Sequence, residues 1–372
     1  MRRGTRKAVI NLGLFVSAII VLLYLNSAPP NGGNHSLAWT TVRYQSSNDV
    51  KIKPRGSCPG LSETKKPALV VARTSDEDTN WLDGLKTKYH LCVYTVDVED
   101  TTSSYLQVPA NRGHESMPYL TFIIDNYDDI PAAGAVFVHG SRIAWHNDHP
   151  QYDNAKLLAT LNIQTALETN GYHNLRCDWS ASTCSPKEAL PQGSYETRSR
   201  AMLEPWNERV VSDAALPGAF AAIFGGLAHS NKDPKVHLGR NDPLRAQCCA
   251  QFVVSRDSIL QHSRDEYAAI RQWLLDGSDG THKSVPGASS PDDRIAGRVL
   301  SYLWHVLFIK HDPSQETLDL EKLNEAGCPT AAECYCKLYG RCDLICNKPG
   351  NCQGQYRLPP DFKVPKDIVD AS

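Results

Sequence analysis

Apolar positions follow two unlike patterns along the chain. Residues 8–25, AVINLGLFVSAIIVLLYL, are almost unbroken, with Asn11 and Ser17 the only polar side chains. Beyond residue 65 they come in short runs divided by polar breaks, as in a globular domain that buries strands and helix faces. PALVVAR, ending at Arg73, and LCVYTV, residues 91–96, read as buried strands. Between them TSDEDTNWLDGLKTKYH reads as a helix with Asp76, Glu77 and Asp78 in its first turn. Leu120, Ile123, Ile124 and Tyr127 then recur at helical spacing, with Pro118 in a first turn and Asp128, Asp129 and Pro131 as the stop. AVFVHG follows as a strand that ends at His139 and empties into a polar loop, residues 140–149.

The remainder continues this alternation. Residues 154–171 form a predicted helix through Leu157, Leu158 and Leu161, with Asp153 to cap it and Gly171 to end it. Residues 193–235 show no clean period. AQFVVS, residues 250–255, is a further strand, and Ser263 with Glu266 makes a capping box ahead of Tyr267, Ile270 and Leu274. A last helix over 293–309 carries Ile295, Val299, Leu303 and Val306 on one face. Strand–helix–strand order predicts an α/β fold with a doubly wound, mostly parallel sheet. In such sheets ligands bind beyond the carboxyl ends of the strands, which makes the loop after His139 the expected site.

The first apolar run, at about 1.5 Å per residue, spans roughly 27 Å, close to a bilayer core. Arg2, Arg3, Arg6 and Lys7 precede it, which places residues 1–7 in the cytosol, 8–25 in the membrane and the rest in a lumen or outside. The topology is single-pass type II, in the Golgi, another secretory compartment or the cell surface. A cleaved signal peptide is the alternative; the length of the run and the lack of a small-x-small site after it favour the anchor. Residues 26–65, rich in Ser, Asn, Pro and Gly, read as a stalk that carries the glycosylation sequon at Asn34. The domain proper is expected over 66–310.

Composition adds two exclusions and one constraint. With 41% hydrophobic and 22% charged residues in 372, the chain is globular rather than disordered, and a net charge of −2 argues against a nucleic-acid partner. Twelve cysteines suit an oxidising compartment. Cys177 and Cys184, seven apart, are expected to close a small disulfide loop. Cys328, Cys334, Cys336, Cys342, Cys346 and Cys352 lack paired C-x2-C knuckles and are expected as a disulfide module over 311–356, with a tail over 357–372. Six cysteines allow fifteen pairings, so connectivity stays open.

Several motifs in one order carry a resemblance. VVAR, EDTNWL, the N-x-G-x-E-x-x-x-Y-L pattern from Asn111 to Leu120, FIIDNYDDIP, VFVHG, RIAWH, GYHNLRC, CCAQFVVSR, YLWHVLF and the CYC-rich tail resemble a fungal family known as domain of unknown function 3431. The resemblance runs from residue 70 to 339 and implies a type II membrane protein, with no activity to transfer. Position 114 is His where members commonly carry Arg or Asn. More remotely, N-x-G-x-E beside a β-α-β start is similar to N-x-G-R-D segments of sugar-nucleotide-dependent glycosyltransferases, implying a glycosyltransferase-A-like fold and a sugar-nucleotide or glycan partner. A metal-dependent transferase needs an acidic triplet to hold a divalent ion on the diphosphate. Asp76-Glu77-Asp78 follows the first strand, the wrong place, and AVFVHG ends in His139-Gly140-Ser141-Arg142, so a divalent metal has no well-placed motif.

The expected site therefore has Glu115, His139 and Asp148 as catalytic groups. Arg73, Glu77, Asp78, Asn111, Gly113, His114, Arg142, Trp145, His146 and His305 contact ligand, with no metal ligands assigned. Glu77 and Asp78 equally suit a helix N-terminus, Glu115 also suits a first turn although its place in the N-x-G-x-E pattern favours function, and His305 beside Trp304 on an apolar helix suits a core position better. His146, Asp148 and His149 have metal-ligand chemistry, but adjacent loop ligands rarely suffice alone and a solvated loop suits them better. G-x-S-x-G, H-E-x-x-H and G-x-G-x-x-G are absent, which argues against serine-hydrolase, zinc-protease and nicotinamide chemistry. Two classes remain: a glycosyltransferase-like luminal enzyme, or a non-catalytic luminal binding or scaffold protein on the same fold.

Overall fold

The computed structural model describes residues 3–26, 36–38, 41–45, 54–98, 104–187, 189–225, 238–277, 284–310 and 317–356. The sequon at Asn34 and the tail 357–372 lie outside them. Helix α1, Arg3–Asn26, is long and apolar enough over Arg6–Tyr24 to cross a membrane, and none of that stretch is buried against the rest of the chain.

Six strands form one sheet: β1 (Ala68–Arg73), β2 (His90–Thr95), β3 (Leu106–Gln107), β4 (Ala135–His139), β5 (Tyr172–Asn174) and β6 (Phe252–Val254), in the order β3-β2-β1-β4-β6-β5. β1 pairs parallel with both β2 and β4, and β2 pairs parallel with β3. β6 runs antiparallel between β4 and β5. All six β1 residues are buried, which is why ALVVAR reads as a continuous apolar run: both faces are covered. Gly134, at φ +82°, leads into β4 where a Cβ would stand 2.4 Å from the Val254 carbonyl oxygen, so only glycine fits there.

Alternation along the strands divides the core. Ala68, Val70, Phe137 and Phe252 face one side and Leu69, Val71, Val136, Val138 and Val253 the other. The first side is covered by α2 (Ser116–Asp125), whose Tyr119 and Phe122 pack on Phe137, and by Trp304 and Phe308. The second is covered by α3 (Asn154–Thr160) and α4 (Ile163–Leu167). Further helices follow in order: α5 (Tyr195–Leu203), α6 (Glu208–Gly225), α7 (Arg256–Leu260), α8 (Arg264–Leu275), α9 (Asp293–Ser301), α10 (Trp304–Phe308), α11 (Leu320–Gly327) and α12 (Ala331–Tyr339). The capping box of Ser263 and Glu266 is present at α8.

Local chemistry accounts for the departures from expectation. Asp76 and Glu77 precede, rather than begin, a 3-10 turn over Asn80–Leu85. The helix expected over 154–171 breaks after Thr160, because Asn162 accepts from Thr165 N and caps α4 separately; Asp153 caps α3 as expected. The helix expected over 293–309 breaks at Tyr302 and Leu303. The unreadable stretch holds α5 and the whole of α6, which contains Pro217. The expected stalk is not all spacer: Val42, Tyr44, Cys58 and Leu61 are buried, and the Tyr44 hydroxyl donates to Asp276 at 2.7 Å.

The disulfides correct the cysteine reading most. Cys177 bonds Cys334 and Cys184 bonds Cys328, so the expected Cys177–Cys184 loop does not form. Both bonds sew the cysteine-rich tail onto the segment after β5, and α12 packs against α3 and α4 with Ala331, Cys334, Tyr335 and Leu338 buried in the same core cluster as Leu69, Val71, Val136 and Val138. Cys336–Cys342 and Cys346–Cys352 close short loops within the tail. Cys58–Cys92 and the adjacent pair Cys248–Cys249 complete the set, leaving no free thiol.

Candidate functional site

The strand order reverses between β1 and β4: the chain leaves β1 for β2 on one side and reaches β4 on the other. Beyond the carboxyl ends of that pair lies the crevice where open α/β sheets hold ligands. Ala72 pairs with His139 in the register, so Arg73 and His139 sit side by side at this edge.

Arg73 does not face outward. It is buried, donates from Nη2 to the carbonyls of Ser75 (2.8 Å) and Glu77 (2.7 Å), and stacks 4.5 Å from the centre of the Tyr105 ring. Glu77 in turn accepts from Thr74 N at 2.9 Å and from the Ser141 hydroxyl, tying the loop after β1 to the loop after β4. Gly140 permits that approach, since a Cβ there would meet Glu77 and Arg73. Asp78 accepts from Asn80 N at 2.9 Å, at the head of the 3-10 turn. These three side chains build the edge rather than project from it.

Residues 140–153 are likewise closed on themselves. Arg142, half-exposed, holds Asp153 with two bonds of 3.2 and 3.0 Å, and Asp153 also caps α3. Asn147 is fully buried and joined through Gln251 to Asn154. Asp148 accepts from Cys177 N (2.6 Å) and Asp178 N (3.1 Å) on one oxygen, and from the hydroxyls of Tyr335 (2.9 Å) and Tyr356 (2.6 Å) on the other. Four donors saturate the carboxylate, so it is an anchor for the tail and not the base it was expected to be. Arg176, buried, pairs with Asp178 at 3.2 Å, donates to the Trp145 carbonyl and lies 5.7 Å from the centre of the Trp145 ring.

The histidines keep chemistry at this edge. The rings of His139 and His146 stand 4.3 Å apart. His139 Nε2 lies 2.8 Å from the Cys249 carbonyl oxygen. A carbonyl only accepts, so Nε2 carries the proton and Nδ1 of the neutral ring keeps its lone pair. Burial holds His146 well below the usual histidine range, and the neighbouring His139 and Arg176 push the same way. Burial also lowers His149.

Residues 111–115 have other neighbours. Topology puts them on the same side of the sheet, because β3 and β4 run in the same direction and α2 returns between them. Their anchors, however, are α8 and α9. Buried Arg112 pairs with Asp293 at 2.9 Å, and Gly113 N donates to the same carboxylate at 2.6 Å. His114, at φ +51°, sits against Gly297. Glu115 is half-buried at the N-cap position of α2, near the Tyr119 hydroxyl. Asn111 lines a cavity of about 200 Å³ with Thr95, Asp97 and Gln107, at the ends of β2 and β3. His305 is buried in α10, and burial pushes it down to about 3; it is a core histidine away from this edge.

Among the described residues the cluster closest to metal-ligand spacing is Cys58, His90 and Cys92, and its two sulfurs are joined in a disulfide and offer no thiolate. Sequence reasoning missed Asp97, Arg176, Asp178, Gln251 and the Cys248–Cys249 pair. GYHNLRC and CCAQFVVSR contained several of them, but nothing in their spacing showed that they meet the loop after β4.

A family model described as a protein of unknown function (DUF3431) matches residues 69–337. The chain belongs to that family. The DUF3431 region thus runs from β1 into α12 and includes both bonds between the tail and the segment after β5, which makes the tail's first helix part of the domain. No curated protein and no solved structure matches the chain.

Proposed function

We propose that this DUF3431 protein is a type II membrane protein whose luminal α/β domain binds a sugar nucleotide at the carboxyl edge of the sheet and acts as a glycosyltransferase-like enzyme. The observation that carries the reading is the reversal of strand order between β1 and β4, with His139 at its rim. The cavity at the ends of β2 and β3 suits the nucleoside, with Asn111 at its wall for the hydroxyls and base and Asp97 beside it already accepting from Ser75 N and Oγ at 2.8 and 2.7 Å. The exposed side of Arg142 faces the charge of the diphosphate. His139 Nδ1 takes the proton of an acceptor hydroxyl, whose oxygen attacks the anomeric carbon as the bond to the diphosphate breaks.

A second reading is favoured by one fact: Arg73, Glu77 and Asp148 are spent on internal bonds, as in a domain that binds without catalysing. Full-length protein in lipid nanodiscs, titrated with uridine and guanosine diphosphate sugars with and without manganese, separates the two. A rise in melting temperature with product release, and loss of release but not of binding in His139→Gln, is the expected result. Binding without turnover selects the second reading, and no shift with any sugar nucleotide overturns the first. Protease protection in sealed vesicles tests the topology: digestion of the domain from the cytosolic side would refute it.

A further inference from the structure

Outside α1, the three most exposed large apolar side chains among the described residues are Met202, Leu203 and Trp206, at 78%, 73% and 77%. They fall within five positions, where exposed apolar residues ordinarily scatter singly. The segment is built rather than loose. It joins α5 to α6, and Glu204 N donates to Arg200 O at 2.7 Å while Asn207 N and Nδ2 donate to Glu204 at 2.9 and 3.1 Å. Beside it opens a cavity of about 210 Å³ lined by Thr197, Arg200, Asn207, Arg209 and Asp213.

That cavity is polar and incompletely paired. Asp213 Oδ1 is buried without a partner, and burial lifts the carboxyl above its usual range against the pull of the neighbouring Tyr302, Arg209, Arg298 and Arg200. Arg209 donates one Nη2 bond to Ser182 O at 2.9 Å, and Arg200 lies 3.6 Å from Glu204. Two guanidinium groups and one unsatisfied carboxylate oxygen therefore border the same small space, complementary to a phosphate that carries its own hydrogen-bond donor.

We propose that residues 202–206 dock the domain onto the bilayer to which α1 tethers it, with one phospholipid headgroup in the adjoining cavity. Its phosphate meets Arg200 and Arg209, and its hydroxyl or ammonium donates to Asp213. The occupant follows from the tether, and the proposal takes only that element from the proposed function. About 15 residues separate Asn26 from Val42, which is already buried in the domain core. At full extension they reach only about 50 Å, so the domain never leaves the bilayer's neighbourhood and docking is effectively intramolecular. Trp and Leu suit the interface of such a bilayer, and arginine stems lie along its apolar edge.

The test uses full-length protein in nanodiscs of phosphatidylcholine with added phosphatidylinositol. The chain has three methionines and Met117 is fully buried, so peroxide oxidation of Met202 reports the segment cleanly by mass spectrometry. Expected are at least fivefold slower oxidation of Met202 than in lipid-free amphipol, quenching by brominated lipid that disappears in Trp206→Phe, and loss of protection in Leu203→Ser/Trp206→Ser and in Arg209→Gln. Equal oxidation in nanodiscs and amphipol overturns the docking. Protection reproduced in amphipol by inorganic phosphate also overturns it, in favour of a free-phosphate site, and protection in amphipol without phosphate indicates a protein cover instead. Extraction of the chain by alkaline carbonate would remove the anchor and the tether together, whereas an extraction-resistant chain with unprotected Met202 sinks the docking alone.

Discussion

The loop after β4 and the segment joining α5 to α6 are opposites in how they use polar groups. In residues 140–153, Arg142, Asn147, Asp148 and Asp153 all have partners inside the chain, only His146 Nε2 is buried without one, and the loop is stitched to Cys177, Asp178, Gln251, Tyr335 and Tyr356. Across 200–213 three large apolar side chains stand in solvent and a carboxylate oxygen is buried without a partner. A cluster of ionisable residues is costly to bury and becomes affordable when every member is satisfied, so such a cluster marks a structural junction as readily as a site. Unmet needs are the better pointer to an outside partner.

That contrast breaks most visibly at the tail. With Cys184–Cys328 intact, Cys177–Cys334 closes only a short ring, so replacing either pair with serine should cost about 3 kcal/mol. Removing both opens a loop of sequence separation 144 or more and should cost about 8 kcal/mol, more than the sum and enough to unfold most domains. Denaturant unfolding of the two single and one combined variants checks it; additive losses would show that the two bonds act independently. Next in size, Asp148→Ala should destabilise by about 3–5 kcal/mol, because two tyrosine hydroxyls and two amides lose their acceptor, while Asp148→Asn loses less. A change under about 1 kcal/mol would return Asp148 to the list of functional groups.

Protonation sharpens the same division. His146, His149, His173 and His305 are all held below the ordinary histidine pKa by burial, His305 down to about 3. Below about pH 6.5 the unfolded chain takes up protons that the folded chain refuses, so stability falls as pH drops, by up to about 1.4 kcal/mol per pH unit for each histidine. The loss continues to about pH 3 for His305. Unfolding measured between pH 7.5 and 5 should show the decline, and His305→Leu should shallow it; a flat profile would mean that these rings are reached by water. The smallest effect belongs to the opposite region. Leu203→Ser/Trp206→Ser should leave stability within about 0.5 kcal/mol of wild type in detergent, since neither side chain is packed.

Chain order and pattern were enough for the framework. The N-terminal apolar helix, strands β1, β2, β4 and β6, helix α2, the Asp153 cap and the Ser263–Glu266 box could all be read, because periodicity and capping act within a few residues of each other. Strands β3 and β5 could not, being two and three residues long. Which cysteine meets which was beyond the sequence as well. Cys177 lies seven residues from Cys184 and 157 from its true partner, and only the packing of α12 against α3 and α4 brings Cys334 within bonding distance. The fate of the ionisable residues was decided in the same way. The sequence placed Arg73, Arg142 and Asp148 near strand ends, but a charge is free or spent according to the donors and acceptors that distant segments deliver, and those arrive only when the chain is folded.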